Sequence, residues 1–449
     1  MECKGFDSNG SDDSWVSCTL EEACQSGAEY RIAQELGLSL LSEFGLICDR
    51  EYLVGFFGSV LMVGYFTGVY LMGVISDRSG RKTALLYSTI VAIVATTILT
   101  FGPALWMIYL GFALCGFAIS GLNLVTFILA GEMCEAQKRH LAGTFCGTVG
   151  AVAQALAAIY AYFFPQWRHL IAPILGLTIL LLVLMKYLPE SPRFLVTHFR
   201  FKEAKQVLNL IADENKRSRF YGQLNGERNY DEAVNGQNGT KPKTSKYSAL
   251  DLFKFKSLRT ITVSLSCLWI TFCLCYYGLT FQLPFIGGNP FFNGFMLGVM
   301  EILASVITGP ILATIGRKRT VTLTLALTGT TLVMMDYSPN EDYRIFFFYL
   351  SKFTVSAYSL VLYIFTPEVF PTSIRNTAVG FNSMMGRFGS ILAPSLVVYL
   401  KGMGISPCTI LAAVAFFATA VVQPLPETGD AELKDHVEEE HSATTKTAQ

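Results

Sequence analysis

The sequence is poor in charge. Only 15% of its 449 residues are Asp, Glu, Lys or Arg, against roughly 25% in a soluble domain. A large soluble enzyme is excluded by that shortage, because too few polar side chains remain to cover its surface. Hydrophobic residues make up 52% and the mean hydropathy is +0.43, which excludes a disordered or fibrous chain. There is no surplus of either sign: Lys+Arg and Asp+Glu are 34 each. A nucleic-acid binder needs excess Lys and Arg to displace counterions, so that class is set aside. No CxxC pair or histidine cluster suggests a metal centre, and no GxxxxGK[ST] loop suggests nucleotide binding. No nucleophile–base constellation stands out, and neither an enzyme nor a cofactor is expected. No apolar run follows a basic start, so a signal peptide is not expected either.

What is present in abundance is long apolar runs. Eleven windows lie at about 52–75, 83–101, 105–131, 141–164, 169–188, 260–286, 291–315, 320–335, 345–366, 377–400 and 407–425. A bilayer core of roughly 30 Å takes about 20 apolar residues as a helix. Helix is forced in lipid, where each backbone polar group must pair within its own segment. The fold class expected is therefore an all-α polytopic membrane protein. Basic residues set the orientation. With Glu51 outside and one crossing per window, 26 of 34 Lys and Arg fall inside, six outside, and two within windows. The N-terminus is then outside and the C-terminus inside.

The chain repeats itself at an offset of 236 residues. Gly80-Arg81-Lys82 is matched by Gly316-Arg317-Lys318. Glu132 follows Gly80 by 52 residues, and Glu368 follows Gly316 by 52. Arg139 and Arg375 each come seven residues after those glutamates, and Glu190 and Glu427 come 58 and 59 after them. Parallel repeats of six helices are a known transporter architecture. The layout read from this is an extracellular segment 1–51, an N-terminal bundle 52–188, a cytoplasmic linker 189–257, a C-terminal bundle 258–425 and a cytoplasmic tail 426–449, with five visible helices plus six. Symmetry calls for a sixth helix before Tyr52, and residues 1–51 contain no run for it. An incompletely read gene or a splice form is the preferred account, and loss of the first helix the alternative.

Further features follow from that layout. Lys202–Ile211 has helical spacing, and 213–246 reads as a flexible polar linker. Asn9-Gly10-Ser11 is a usable glycosylation sequon if outside. Cys3, Cys18, Cys24 and Cys48 in the outer segment can form disulfides in any of three connectivities. Three ionisable residues sit inside apolar windows: Glu301, Lys352 and Arg387. Such residues cost at least about 2.5 kcal/mol in lipid and usually face a cavity or partner. Arg387 is the first substrate candidate, with Glu301 beside it; alternatively the two neutralise each other structurally. Lys352, near a window end, is expected to snorkel. Trp269, Tyr276 and Tyr277 lie on one helix and can hold an organic cation or an aromatic ring, unless they are packing aromatics. Gln154 is a weaker candidate. Gly73 is expected to allow a close helix contact, and Asp77 to face a helix N-terminus.

The motifs carry a resemblance. Gly73-Val74-Ile75-Ser76-Asp77-Arg78-Ser79-Gly80-Arg81-Lys82 resembles the signature loop of the major facilitator superfamily. Pro189-Glu190-Ser191-Pro192-Arg193-Phe194-Leu195 is similar to the sequence closing the first half of sugar porters and organic-ion transporters. Thr366-Pro367-Glu368-Val369-Phe370-Pro371-Thr372-Ser373-Ile374-Arg375-Asn376-Thr377 is similar to a loop of the organic cation, organic anion and carnitine transporters. The resemblance implies a plasma-membrane transporter of small organic ions working by alternating access. It implies gating roles for Gly73, Asp77, Arg78, Gly80, Arg81, Glu132, Arg139, Glu190 and Arg193, and for Arg317, Glu368, Arg375 and Glu427, as charge pairs that lock the inner ends. Organic-anion and carnitine members have Arg at the position of Arg387, where many cation transporters have Asp, which implies an anionic or zwitterionic substrate. Phe112 stands where the family has a helix-four Arg, which puts proton coupling through that residue in doubt. A sugar porter and a transport-inactive, truncated membrane protein are the alternatives. The partners expected are a small organic ion and the lipid bilayer.

Overall fold

The computed structural model describes residues 2–4, 15–17, 30–31, 39–46, 50, 52–134, 139–219, 249–254, 256–371 and 374–428. For 2–4, 15–17, 30–31, 139–144 (Arg139 among them), 249–250, 256–257, 313 and 376, only the backbone is described. Asn9, Cys18, Cys24, Cys48, most of the polar linker and nearly all of the tail lie outside the described residues.

Among the described residues, eleven long helices stand where the apolar windows fall. A short α1 (Leu40–Glu43) comes before them. The first group is α2 (Tyr52–Ser79), α3 (Arg81–Phe101), α4 (Leu105–Met133), α5 (Arg139–Phe163) and α6 (Trp167–Leu184). Two short helices follow, α7 (Pro192–Thr197) and α8 (Phe201–Glu214). The second group is α9 (Lys256–Gln282), α10 (Pro290–Ile315), α11 (Arg317–Asp336), α12 (Glu341–Val369), α13 (Arg375–Gly402) and α14 (Pro407–Val421). Nine of the described helices are long and apolar enough to cross a membrane. The other two of the eleven are α11 and α14. Helix α11 is rich in threonine, and its hydroxyls turn back on the helix itself: Thr320, Thr324 and Thr328 each donate to the carbonyl four residues earlier. That hides their polarity from the surroundings. Helix α14 is only 15 residues long.

Three short strands were not foreseen. β1 (Glu2–Lys4), β2 (Trp15–Ser17) and β3 (Tyr30–Arg31) form an antiparallel sheet in the order β2-β1-β3, with Cys3 opposite Val16 and Tyr30. Pieces of two or three residues are too short for alternation of apolar and polar residues to reveal them. In the linker, the spacing around Ala204 forms α8 as expected. Its buried Phe201 and Ala204 lie beside α7, whose Phe194 and Leu195 are buried with Ala204 in one cluster. Ser191 caps α7 by accepting from the Phe194 N–H at 3.3 Å.

Within the first group, α2 and α3 pack on α4, and α3 on α6. Within the second, α9 packs on α13, α11 on α12 and α14, and α10 on α12. Among the described residues, the two main interfaces that join the groups are α2 with α13 and α5 with α10. The offset of 236 residues carries α2 onto α10 and α5 onto α13, so these two interfaces are copies of each other under the repeat. Glycines set the closest approaches. A Cβ at Gly64 or Gly68 of α2 would collide with the α4 backbone at Ala113 and Phe117. The expected tight position, Gly73, is not one: its Cβ would meet only Leu124, at an ordinary 3.7 Å.

Candidate transport site and gate

The repeated motif builds the same object twice. At the start of α3, Gly80 has φ +107° and the helix begins immediately after it. The Glu190 carboxylate accepts from the freed N–H groups of Arg81 at 2.9 Å and Lys82 at 3.2 Å. At the start of α11, Gly316 has φ +93°, and Glu427 accepts from Arg317 N at 2.8 Å and Lys318 N at 3.3 Å. A carboxylate on a helix N-terminus satisfies orphan donors and the helix dipole together. Sequence reasoning gave that role to Asp77, but Asp77 is exposed and pairs at 3.4 Å with Arg81 instead.

The arginines are paired alike. Arg81 makes a two-pronged contact with Glu132, with both N–O distances 2.9 Å, and donates to the Ser76 carbonyl at 2.9 Å. Its guanidinium also lies 5.1 Å from the centre of the Phe194 ring. Arg317 holds Glu368 at 3.0 and 3.3 Å, and Thr428 donates its hydroxyl to the same carboxylate at 2.7 Å. Arg375 donates to the Phe370 carbonyl at 3.3 Å. Arg78 and Arg193 are exposed. These ion pairs each stay within one group of helices, tying α3 to α4 and α11 to α12. Among the described residues, no charge pair joins the two groups at these ends.

Contacts between the groups lie elsewhere along the helices. The Ser59 hydroxyl of α2 donates to the Ile391 carbonyl of α13 at 2.8 Å and lies 2.8 Å from the Ser395 hydroxyl. A Cβ at Gly58 would press on Phe281 and Pro394 at 2.6–2.7 Å. A Cβ at Gly298 of α10 would meet Ala151 and Ala155 of α5 at about 3 Å, and the Tyr162 ring lies 6.0 Å edge-on to Phe291. All of these sit toward the helix ends opposite the Arg81 and Arg317 motifs.

Arg387 lies between that closed end and the motifs. Its guanidinium carbon lies 4.3 Å from the Tyr65 ring centre, across the interface of the groups. Among the described residues no carboxylate pairs with it. Glu301 is engaged otherwise: Tyr276 donates to it at 2.8 Å and Lys352 Nζ stands 3.5 Å away. In place of the alternative Arg387–Glu301 pair, the structure has Lys352 beside Glu301. Lys352 does not snorkel either. It is 0% exposed, with its ammonium 3.4 Å from the Tyr276 ring centre. Helix α12 begins at Glu341, earlier than the apolar window, so Lys352 sits well inside the helix rather than near its end.

The aromatic candidates divide. Tyr276 and Tyr277 are half-buried, with ring centres 5.2 Å apart. Trp269 is 1% exposed and donates its indole N–H to Thr366 at 3.0 Å, so in this conformation it packs in the core. Gln154 is half-buried on α5. Sequence reasoning missed Tyr65, Asn123 and Tyr363. Asn123 stands 3.5 Å from the Tyr65 hydroxyl, and Tyr363 is half-exposed. Nothing in a single apolar helix reveals which tyrosine meets the opposite group.

Comparison with known proteins agrees with this architecture. Residues 11–438 match the family described as sugar (and other) transporter. The chain is 30% identical over 433 residues to mouse organic cation/carnitine transporter 2, covering 92% of this chain and 75% of that one. It is 28% identical over 421 residues to rabbit organic anion transporter 3, covering 93% and 76%. Among solved structures, the inward-open xylose transporter XylE from E. coli aligns with a TM-score of 0.65 at 17% identity, over 88% of this chain and 90% of that one. The chain belongs to the major facilitator superfamily, within the organic cation, organic anion and carnitine transporter family. It is a multi-pass integral membrane transporter of small molecules.

Proposed function

We propose that the protein carries small organic anions, or zwitterions bearing an anionic group, across the plasma membrane by alternating access. The observation that carries this reading is Arg387: a cation inside the membrane-spanning region, against Tyr65 of the opposite group, with no described carboxylate to neutralise it. An isolated charge there is costly, and an anionic substrate group supplies the missing partner. Tyr65, Tyr277 and Tyr363 give an aromatic surround suited to an organic body or an alkylammonium group. The relatives include carnitine and organic anion transporters, which supports the same reading.

The orientation proposed puts 1–51 outside, with 52–188 and 258–425 as the two bundles and 189–257 and 426–449 in the cytoplasm. The conformation is then closed outside and open inside. The Arg81–Glu132–Glu190 and Arg317–Glu368–Glu427 clusters would face each other across the closed inner gate in the opposite conformation. There Arg139, Arg193 and Arg375 would join them, each contact being weak enough near water to part.

Uptake of labelled carnitine, benzoate and choline into cells tests the reading. Expected are benzoate or carnitine uptake, little choline uptake, and a drop of at least tenfold in Arg387→Ala at equal surface expression. Glucose uptake in place of these would favour a sugar porter. No uptake across the panel, with the protein at the surface, would favour a transport-inactive role.

A further inference from the structure

Beyond the substrate site, the second bundle holds a complete buried ion pair that anion binding does not need. Lys352 is wholly enclosed, while Glu301 keeps 29% of its side chain accessible. The ammonium makes no hydrogen bond within normal reach; its neighbours are the Glu301 carboxylate at 3.5 Å and the Tyr276 ring at 3.4 Å. Tyr276 bridges the two, stacking under the ammonium while donating its hydroxyl to the carboxylate at 2.8 Å.

We infer that the Glu301–Lys352 pair is a proton-binding site coupled to the anion site at Arg387. The inference rests on the anion reading given above. With Lys352 enclosed and Glu301 only partly accessible 3.5 Å away, a proton gained or lost is counted on the pair and not on either member. Glu301 provides the path, being the partially accessible member. Tyr276 keeps the pair in place in either state: its ring attracts the ammonium and its hydroxyl holds the carboxylate.

The coupling runs through adjacent aromatics. Tyr276 neighbours Tyr277 at 5.2 Å between ring centres, and Gly386, next to Arg387 on α13, packs against Cys273 on the same helix as both tyrosines, where an added Cβ would stand 3.0 Å from its sulfur. With the pair neutral overall, Glu301, Lys352 and Arg387 together carry a net charge of +1. One proton more raises this to +2 and strengthens anion binding; one proton fewer lowers it to zero and weakens it. Among the described residues, no further charge intervenes from the packed helices. Helix α11 brings threonines, such as Thr328 bonded to Thr354 at 3.0 Å. Helix α5 meets α10 through Ala151 and Ala155 and, at the far end, through the neutral Tyr162 ring against Phe291. Helix α9 adds the tyrosines named and buried cysteines, and α12 adds Tyr358, whose hydroxyl is spent on the Leu268 carbonyl. Proton and anion then bind together, and by linkage each tightens the other. The proton comes from water on the side to which the cavity is open and leaves with the anion on the other, so the loaded site moves no net charge for a monovalent anion.

The test uses the purified full chain in lipid nanodiscs, with benzenesulfonate as probe because its charge is constant across the range. In wild type, affinity should weaken by up to about tenfold per pH unit as pH rises through the titration of the pair, with up to one proton taken up per anion, read by a pH dye in weak buffer. The double variant Glu301→Gln with Lys352→Met removes both charges together, leaving neither buried alone. It should bind benzenesulfonate without a pH slope and without proton uptake. Retention of the wild-type slope by the double variant overturns the inference. A titration without ligand separates the two readings: the double variant should exchange one proton fewer than wild type. If benzenesulfonate does not bind, or binds equally well to Arg387→Ala, the anion site is refuted. In that case an equal proton count in wild type and double variant refutes the pair as well.

Discussion

The two groups of helices share a motif but not a centre. In the second, α9 runs through the middle, with 72% of its apolar window buried. In the first, the described part of α5 has 11% of its window buried and α6 has none. The repeat offset places Gly150 of α5 opposite Gly386 of α13. A Cβ at Gly386 would stand 3.0–3.1 Å from Cys273 and the Trp269 carbonyl of α9. A Cβ at Gly150 would meet nothing within 4 Å. The same small-residue face is therefore covered in one group and open in the other. The Arg–Glu–Glu clusters are nonetheless nearly identical, with matching donors and distances. They depend on the ends of α3, α4, α11 and α12, and not on a helix at the centre.

Substitutions can push on both halves of this contrast. The largest effect is expected where the groups are alike. Arg81→Ala and Arg317→Ala each remove a two-pronged, partly buried contact and leave a glutamate without its cation, at a cost of about 2–3 kcal/mol. Thermal unfolding in detergent should register losses of similar size for the two, and uptake should fall in both. A large inequality would break the equivalence of the clusters. Next come the glycines. Gly386→Leu drives a side chain into α9 and should destabilise by about 1–3 kcal/mol, whereas Gly150→Leu should leave the melting temperature within about a degree. Equal destabilisation would mean that the α5 face is covered after all.

The smallest effect concerns the end of the first group opposite the Arg81 motif. Glu43 accepts from Trp167 Nε1 at 2.7 Å and pairs with Arg168 at 2.5 Å. Arg168 in turn donates to the carbonyls of Thr100 and Gly102 at 2.7 and 2.8 Å, closing the end of α3. The Arg168 hydrogen bonds hold the Glu43 carboxyl below its ordinary pKa, against a raising effect of burial. A depressed carboxylate stabilises the fold above the unfolded-state pKa. The benefit fades as pH falls toward and through the folded-state value, and is absent below it. With solvent nearby the effect is at most about 1 kcal/mol. Melting curves of wild type and Glu43→Gln should differ near neutrality and converge in acid. A constant offset at all pH values would assign the clamp to packing instead.

The helices were legible because lipid leaves the backbone no alternative, and the repeat because charged residues at helix ends are sparse enough for their spacings to be compared. Burial was less legible. Trp269 and Tyr276 lie on one helix seven residues apart, yet one is sealed in the core and the other reaches Glu301. Lys352 looked like a surface anchor because its position relative to lipid depends on where α12 begins, and Glu341 and Asp342 belong to that helix despite their charge. Glu190 reaches across 109 residues of sequence to cap α3, a contact that no local pattern announces.

The Arg81 cluster also has a mechanical meaning. One guanidinium fastens the end of α2 through Ser76, α4 through Glu132 and α7 through Phe194. Ends tied in this way turn together as one lever. Its fulcrum is where Gly58 and Ser59 rest against α13. From there to Ser79 is about 30 Å of helix at 1.5 Å per residue, so a tilt of about 10° sweeps the Ser79 end through about 5 Å. That exceeds the reach of any hydrogen bond: a contact between opposing motif-bearing ends would be either fully made or fully broken, while every pair inside the lever stays as it is.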